Sequence, residues 1–134
     1  MSTMIQVTEP TIICMFGDHL PSIEDEFYEE LFGTSLDNLT IEQQQLRYKT
    51  PFVIWANYDI PEETLNQISA NYLSTLVLQT AKLPLTQYNK YLASLYQKLP
   101  IINTVGYVDS DNNYYTHSES SKYDDALYQY HCLV

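Results

Sequence analysis

The stretch "TIICMFGDHLPS", Thr11 to Ser22, decides the fold prediction, because an unbroken apolar run ends at a glycine and two polar residues follow it. A short apolar run without alternation is typical of a strand covered on both faces, as in a parallel sheet between helices. Asp18 and His19 stand at the tip of this strand. Ligand sites in open α/β sheets lie beyond the carboxyl ends of strands, so the pair occupies the position expected of a binding site.

Asp18 and His19 can meet one ion only if the backbone bends, since neighbouring side chains of a regular strand point to opposite faces. Gly17 permits such a bend because glycine tolerates positive φ. A carboxylate oxygen and an imidazole nitrogen together favour Zn, Mn or Fe over Mg or Ca. The alternative is a structural pair, in which Asp18 caps the turn and His19 hydrogen-bonds a backbone carbonyl.

The remaining elements follow one another closely and indicate an α/β fold in one domain, residues 1–134. A helix is predicted from an N-cap at Ser22 to a stop at Gly33, and a capping box at Thr40 and Gln43 predicts a short second helix. A second buried strand is expected over Phe52–Ala56. Further predictions are helices over 65–81 and 86–99, a hairpin that turns at 109–113, and a final helix over 122–134.

Composition excludes several classes of partner. The 134 residues are 45% hydrophobic, which is enough for a core, and their net charge of -11 makes nucleic acid and anionic membrane surfaces poor partners. No stretch approaches the roughly 20 apolar residues of a membrane span, so no direct membrane insertion is expected. Cys14 and Cys132 do not form a disulfide framework.

Other chemistry-bearing residues favour structural interpretations. "DSDNN" at Asp109 begins like a calcium loop but places Tyr114 where the glycine should be, so a polar turn is favoured. His117 and His131 have no partner at ligand spacing. An acidic cluster is favoured as a solvated helix face, and its members are Glu24, Asp25, Glu26, Glu29 and Glu30. The helical spacing of three tyrosines favours packing over carbohydrate stacking, and these are Tyr88, Tyr91 and Tyr96.

Several motifs together resemble one family. "PTIICMFGDHLPS" resembles the segment that carries two metal ligands in the lipoteichoic acid synthase-like phosphoglycerol transferases of the sulfatase and alkaline phosphatase superfamily. "YKTPFVIWANYD" resembles the next core strand of that group, and "ISANYLSTLVLQ" and "LPLTQYNKYLASLYQKLPIINTVGY" resemble its C-terminal helices and the segment after them. The resemblance covers the chain from Pro10 onward, and "FGDHLP" is most similar to the sulfatase-like branch.

The resemblance implies part of an alkaline phosphatase-like sandwich, with mostly parallel strands, covering helices and a C-terminal hairpin. It implies that Asp18 and His19 ligate a divalent ion, manganese first, with Zn or Mg possible. Nothing in the chain matches the family's threonine nucleophile, its other acidic ligand or its substrate-binding His and Arg residues. The chain therefore resembles the C-terminal portion of a catalytic domain whose upstream half is absent, and no catalytic residue is assigned.

The function implied by this resemblance is metal-dependent phosphoglycerol transfer to a cell-envelope polymer, at the extracellular face of a bacterial membrane. Two ligands alone leave a divalent ion mostly hydrated, so we expect the isolated chain to be inactive and to bind Mn or Zn weakly if at all. The alternatives are sulfatase-type ester hydrolysis and a non-catalytic binding or assembly module. The expected partner is the missing N-terminal half, and self-association is expected where the surfaces normally covered by that half are exposed.

Overall fold

The computed structural model describes residues 8–134 and shows a mixed α/β fold. Its strands are β1 (Ile12–Phe16), β2 (Phe52–Ala56), β3 (Ile101–Ile102), β4 (Gly106–Val108) and β5 (Tyr114–Thr116). Its helices are α1 (Asp25–Phe32), α2 (Ile41–Leu46), α3 (Leu73–Thr80), α4 (Gln87–Tyr96) and α5 (Asp124–Leu133), with short 3-10 helices at Leu36–Asn38 and Ala70–Tyr72. The predicted strand Phe52–Ala56 is confirmed residue for residue.

The strands form two separate antiparallel sheets. β1 pairs with β2 from Ile12↔Ala56 to Phe16↔Phe52, and β3, β4 and β5 form a three-stranded sheet in that order. The predicted C-terminal hairpin is confirmed, but the prediction of mostly parallel strands is wrong for the described residues. An apolar run indicates burial but not strand direction. β2 begins at Phe52, after two helices, so no local pattern determines whether it runs parallel or antiparallel to β1.

The β1–β2 ribbon is uncovered on one face, which corrects the prediction of a strand buried on both. Ile13 lies opposite Trp55 and Met15 opposite Val53, and all four side chains are exposed large hydrophobics. A two-stranded ribbon is marginally stable at best unless something packs on it. The alkaline phosphatase-like sandwich therefore stays a prediction, because the second layer that it requires does not lie within residues 8–134.

The core lies in the C-terminal half of the described chain. Tyr72, Leu92, Leu95, Leu99 and Tyr107 form one buried cluster, and the hydroxyl of Tyr72 donates to the Leu99 carbonyl oxygen at 2.7 Å. Half-buried residues of α4, β5 and α5 pack around it, including two of the tyrosines assigned to packing, 91 and 96. Within residues 8–134, no helix is both long and apolar enough to cross a bilayer.

Local signals predicted helix ends with mixed success. The capping box at Thr40 is confirmed, as are the Thr86 cap of α4 and the left-handed stop at Gly33 with φ 67°. The Ser22 cap is wrong, because α1 begins after Glu24, whose side chain makes no capping bond. The helix predicted over 65–81 begins only at the 3-10 turn, since the Ser69 N–H donates to the Pro100 carbonyl at 3.1 Å and holds that segment in extended form.

Asp109 holds the hairpin turn between β4 and β5. Its carboxylate is 1% exposed and accepts from the backbone N–H groups of Asp111 and Asn113 and from the hydroxyls of Tyr115 and Tyr123 at 2.9–3.2 Å. Burial raises the pKa of Asp109, but bonds from Asn113, Tyr115 and Asp111 outweigh it and lower the pKa to about 2. These bonds use the carboxylate within the turn, which confirms the structural interpretation of "DSDNN".

We predict that Asp109→Asn lowers the free energy of unfolding by about 2 to 3 kcal/mol at pH 7, the value of a carboxyl pKa lowered from 3.8 to about 2. Because the folded pKa lies below the unfolded one, this stabilisation is complete above about pH 4 and is lost as the pH falls through about 2. Urea denaturation at pH 7 and at pH 3 measures it. Asp111→Asn, in the same turn but exposed, is the matched control, and equal losses in the two variants would contradict the prediction.

Candidate metal-ligand site at the end of the first strand

A close junction between the ends of β1 and β2 sets the position of the candidate site. The Gly17 N–H donates to the Pro51 carbonyl at 3.1 Å, and the Thr50 hydroxyl donates to the Gly17 carbonyl at 2.7 Å. A Cβ at Gly17 would lie 3.0 Å from Thr50 Cβ, so any other residue would have to displace Thr50 by a few tenths of an ångström, and close approach favours glycine. The predicted reason was wrong, because Gly33 alone among the described glycines has a positive φ.

Asp18 and His19 converge after this junction, where the backbone bends as predicted. Asp18 Oδ2 lies 3.4 Å from His19 Nε2, and both side chains are open to solvent, at 82% and 79% exposure. Asp18 Oδ1 accepts from the His19 backbone N–H at 2.9 Å, which fixes the carboxylate toward the ring. The two polar groups therefore face one accessible spot.

The His19 ring is oriented by its second nitrogen. Nδ1 lies 2.9 Å from the Leu20 carbonyl oxygen, which only accepts, so Nδ1 carries the proton of that bond. In the neutral ring Nε2 then has a lone pair, and it faces a carboxylate oxygen that is also an acceptor. Two acceptors at this distance are stabilised by a proton or a cation between them, and a backbone bond at Nδ1 is the usual way in which proteins orient a metal-binding imidazole.

Both sequence interpretations of the pair thus describe part of one geometry. Asp18 caps the bend and His19 bonds a carbonyl, as the structural alternative expects, and these same bonds leave Oδ2 and Nε2 directed at a shared position. The residues fit a divalent ion in ligand chemistry, because one carboxylate oxygen and one imidazole nitrogen are available together. Within residues 8–134, no group of three or more His, Cys, Asp or Glu side chains is placed to hold a metal ion.

A cavity of about 340 Å³ adjoins the pair, and its lining includes one basic side chain, Arg47. The guanidinium carbon lies 4.7 Å from the centre of the Tyr28 ring, and Nη2 lies 3.8 Å from Asp25 Oδ1. Stacking on an aromatic face holds a guanidinium in place without using its N–H donors. Arg47 lines the same cavity as Asp18 and His19, which makes it a candidate contact for an anionic oxygen in that cavity. No local sequence pattern indicates this, because Arg47 lies 28 residues from His19 along the chain.

The other candidate residues remain apart from the site. His117 Nε2 bonds the Asn103 carbonyl at 2.7 Å, and His131 lies exposed on α5. Within the acidic cluster, Asp25 meets Arg47 and Glu29 Oε1 accepts from the Leu36 backbone N–H at 3.1 Å, which supports the structural interpretation of these two residues. Burial raises the pKa of the Cys14 thiol, as expected of a strand residue without a charged neighbour.

A family model described as "Sulfatase" matches residues 4–88, which include both strands of the ribbon and the Asp18–His19 pair. The chain belongs to the sulfatase family. This assignment supports the coarser part of the resemblance, and it suggests the alkaline phosphatase-like fold that accompanies the family.

One curated relative shows the reach of the similarity. A protein of Rhizobium meliloti (strain 1021) with the name "Putative cyclic beta-1,2-glucan modification protein" is 27% identical over 99 residues, which are 69% of this chain and 15% of the relative. The chain thus spans a small part of the relative's length. No solved structure matches this sulfatase-family chain significantly.

We predict opposite tautomers for two histidines of this chain. Neutral His19 carries its proton on Nδ1, because the Leu20 carbonyl accepts there, whereas neutral His117 carries it on Nε2, because the Asn103 carbonyl accepts there. Two-bond ¹H–¹⁵N correlation NMR at a pH where both rings are neutral distinguishes the two forms. A proton on Nε2 of neutral His19 would contradict the geometry given for that ring.

Proposed function

We propose that this chain supplies two metal ligands, Asp18 and His19, to a sulfatase-family enzyme that transfers phosphoglycerol to a cell-envelope glycan. The observation that carries the proposal is the convergence of Asp18 Oδ2 and His19 Nε2 at 3.4 Å, inside the segment that matches the family. We propose manganese as the ion, with Zn or Mg as alternatives. The acceptor class follows from the glucan in the relative's printed name.

The chemistry of the proposal divides between this chain and groups outside it. A divalent ion at the pair would supply Lewis-acid catalysis, lowering the energy of charge that develops on a phosphoryl oxygen. Asp18 and His19 hold that position through the Gly17 junction and the bond to the Leu20 carbonyl. Arg47 offers a fixed cation to a neighbouring anionic oxygen. The nucleophile and the remaining ligands are proposed to come from the rest of the catalytic domain.

The uncovered ribbon supports the same division. Its exposed face is formed by Ile13, Met15, Val53 and Trp55, and neither strand contains a charged residue or a proline. Natural edge strands are usually protected by charges, prolines or covering elements, so this ribbon is suited to become part of a larger sheet. We propose that the remainder of the sulfatase domain covers it, and that the parent enzyme works at the extracellular face of a bacterial membrane.

Sulfatase-type ester hydrolysis is the second candidate, because the matching family model is that of the sulfatases. It uses the same ligand pair and differs in the acceptor, which is water instead of a glycan hydroxyl. Product analysis separates the two functions: release of inorganic sulfate from a sulfate ester favours hydrolysis, whereas a phosphoglycerol-substituted glycan favours transfer.

We predict no metal-dependent turnover of a phosphodiester or sulfate ester by the isolated chain. In the proposed parent enzyme, Asp18→Asn and His19→Ala should each lower turnover by more than the roughly 10- to 100-fold typical of partners that only orient metal ligands. Glu30→Gln, an exposed acid on α1 away from both cavities, is the control. Equal activity in all three variants, or turnover by the isolated chain, would overturn the proposal.

We also predict that the isolated chain self-associates through the ribbon. Light scattering should give a mass above 15.6 kDa that rises with protein concentration. Trp55→Lys should return the mass toward that of a monomer, because a charge on the open face opposes association. Tyr128→Lys is the matched control on α5, where the side chain is also well exposed. A monomeric wild-type chain at high concentration would contradict the prediction.

A further inference from the structure

A second cavity, of about 660 Å³, lies on the other side of Asp18 from the small one. It is bounded by the ends of β1 and β2, by α2, by the segment 65–73 and by β3. Asp18 and Tyr48 line both cavities, so a molecule that occupies the larger one reaches Asp18, whereas His19 lines only the smaller cavity. The volume falls within the roughly 300–1,000 Å³ that is typical of small-molecule sites.

The larger cavity is lined by an unusual number of side-chain amides. They come from α2, from the segment before α3 and from the end of β3: Gln45, Asn66, Gln67, Asn71, Asn103. Each amide offers N–H donors and a carbonyl acceptor without a net charge. A sugar hydroxyl is likewise a donor and an acceptor, so these amides can exchange hydrogen bonds with a neutral polyhydroxylated ligand.

Two of these amides are fixed in orientation by each other. Asn103 Nδ2 donates to Gln45 Oε1 at 2.6 Å, and Gln45 Nε2 donates to Asn103 Oδ1 at 3.2 Å. The Asn103 oxygen also accepts from the Val105 backbone N–H at 3.0 Å. Each amide keeps a second N–H beyond this pair, and Gln45 keeps a lone pair, so the cavity wall presents oriented groups at little further entropic cost.

Aromatic faces stand open at the rim of the same cavity. Tyr48 is 60% exposed and Phe16 is 56% exposed, although both are large hydrophobic side chains. The negative face of an aromatic ring attracts the weakly positive C–H groups on one side of a pyranose. Charge disfavours an anion in this cavity, because Asp18 and Glu42 oppose the single cation Lys49 in its lining and the whole chain carries -11.

We propose that the larger cavity is a carbohydrate-binding site that holds a neutral sugar ring and directs one hydroxyl toward Asp18 and His19. The amides bind the hydroxyl groups, and Tyr48 stacks on the C–H face of the ring. The role of the bound sugar as acceptor rests on the proposed function, whereas binding of the sugar requires neither the metal nor the missing catalytic groups.

The test is an NMR titration of the whole chain, kept metal-free with EDTA, using sophorose, a β-1,2-linked glucose disaccharide. We expect saturable shifts of the side-chain amide signals of Gln45, Asn66 and Asn103. Tyr48→Ala should raise the dissociation constant at least fivefold. Asn66→Ala, at an exposed position, should raise it independently. Tyr128→Ala, an exposed tyrosine that lines neither cavity, should leave it unchanged.

Three results would overturn this inference: no amide shifts with sophorose, equal weakening in the Tyr48 and Tyr128 variants, or larger shifts at these amides with inorganic phosphate than with the sugar. The amide spectrum of each variant shows whether it is folded. If Tyr48→Ala does not fold, Asn66→Ala still decides the test. The titration contains EDTA and so does not depend on the metal. Manganese binding by Asp18 and His19 in the parent enzyme is a separate measurement, and its failure would overturn the proposed function while leaving the sugar site standing.

Discussion

The junction of Gly17 with Thr50 and Pro51 is the constraint on which the candidate site depends. Two hydrogen bonds and the close approach of the Thr50 side chain hold the end of β1 at Gly17, and the chain bends directly after it, at Asp18 and His19. Without that turn, Asp18 and His19 would follow strand alternation and point to opposite faces. The bend converts two neighbours in sequence into two groups that face one position, and it does so at the boundary between the two cavities.

The stability of the chain and its candidate chemistry lie in different parts of the molecule. All buried hydrophobic residues among 8–134 except Leu39 lie at position 72 or later, whereas Asp18 and His19 follow β1 and Arg47 follows α2. The tyrosine-rich core and the Asp109 turn hold the C-terminal half together. The ribbon instead exposes a row of apolar side chains. Its sequence pattern is typical of buried strands, but this chain leaves that surface open.

Sequence alone predicted the features that local interactions determine. The Thr40 capping box, the Thr86 cap and the bounds of β2 each depend on residues within a few positions of one another. Strand direction, the extended segment before α3 and the approach of Arg47 to His19 depend on contacts between distant segments, and no local pattern records those. Asp18 and His19 were found because they are adjacent, but the Leu20 carbonyl that orients the ring carries no side-chain signature.

We propose that one carboxylate and one imidazole hold the same ion. Pulsed EPR of the chain tests this most directly, with Mn²⁺ in excess because two ligands alone bind it weakly. The electron spin echo should show modulation from a single imidazole ¹⁴N, and this signal should disappear in His19→Ala while His117→Ala and His131→Ala retain it. Bound manganese without nitrogen modulation, or modulation that survives the loss of His19, would contradict the account.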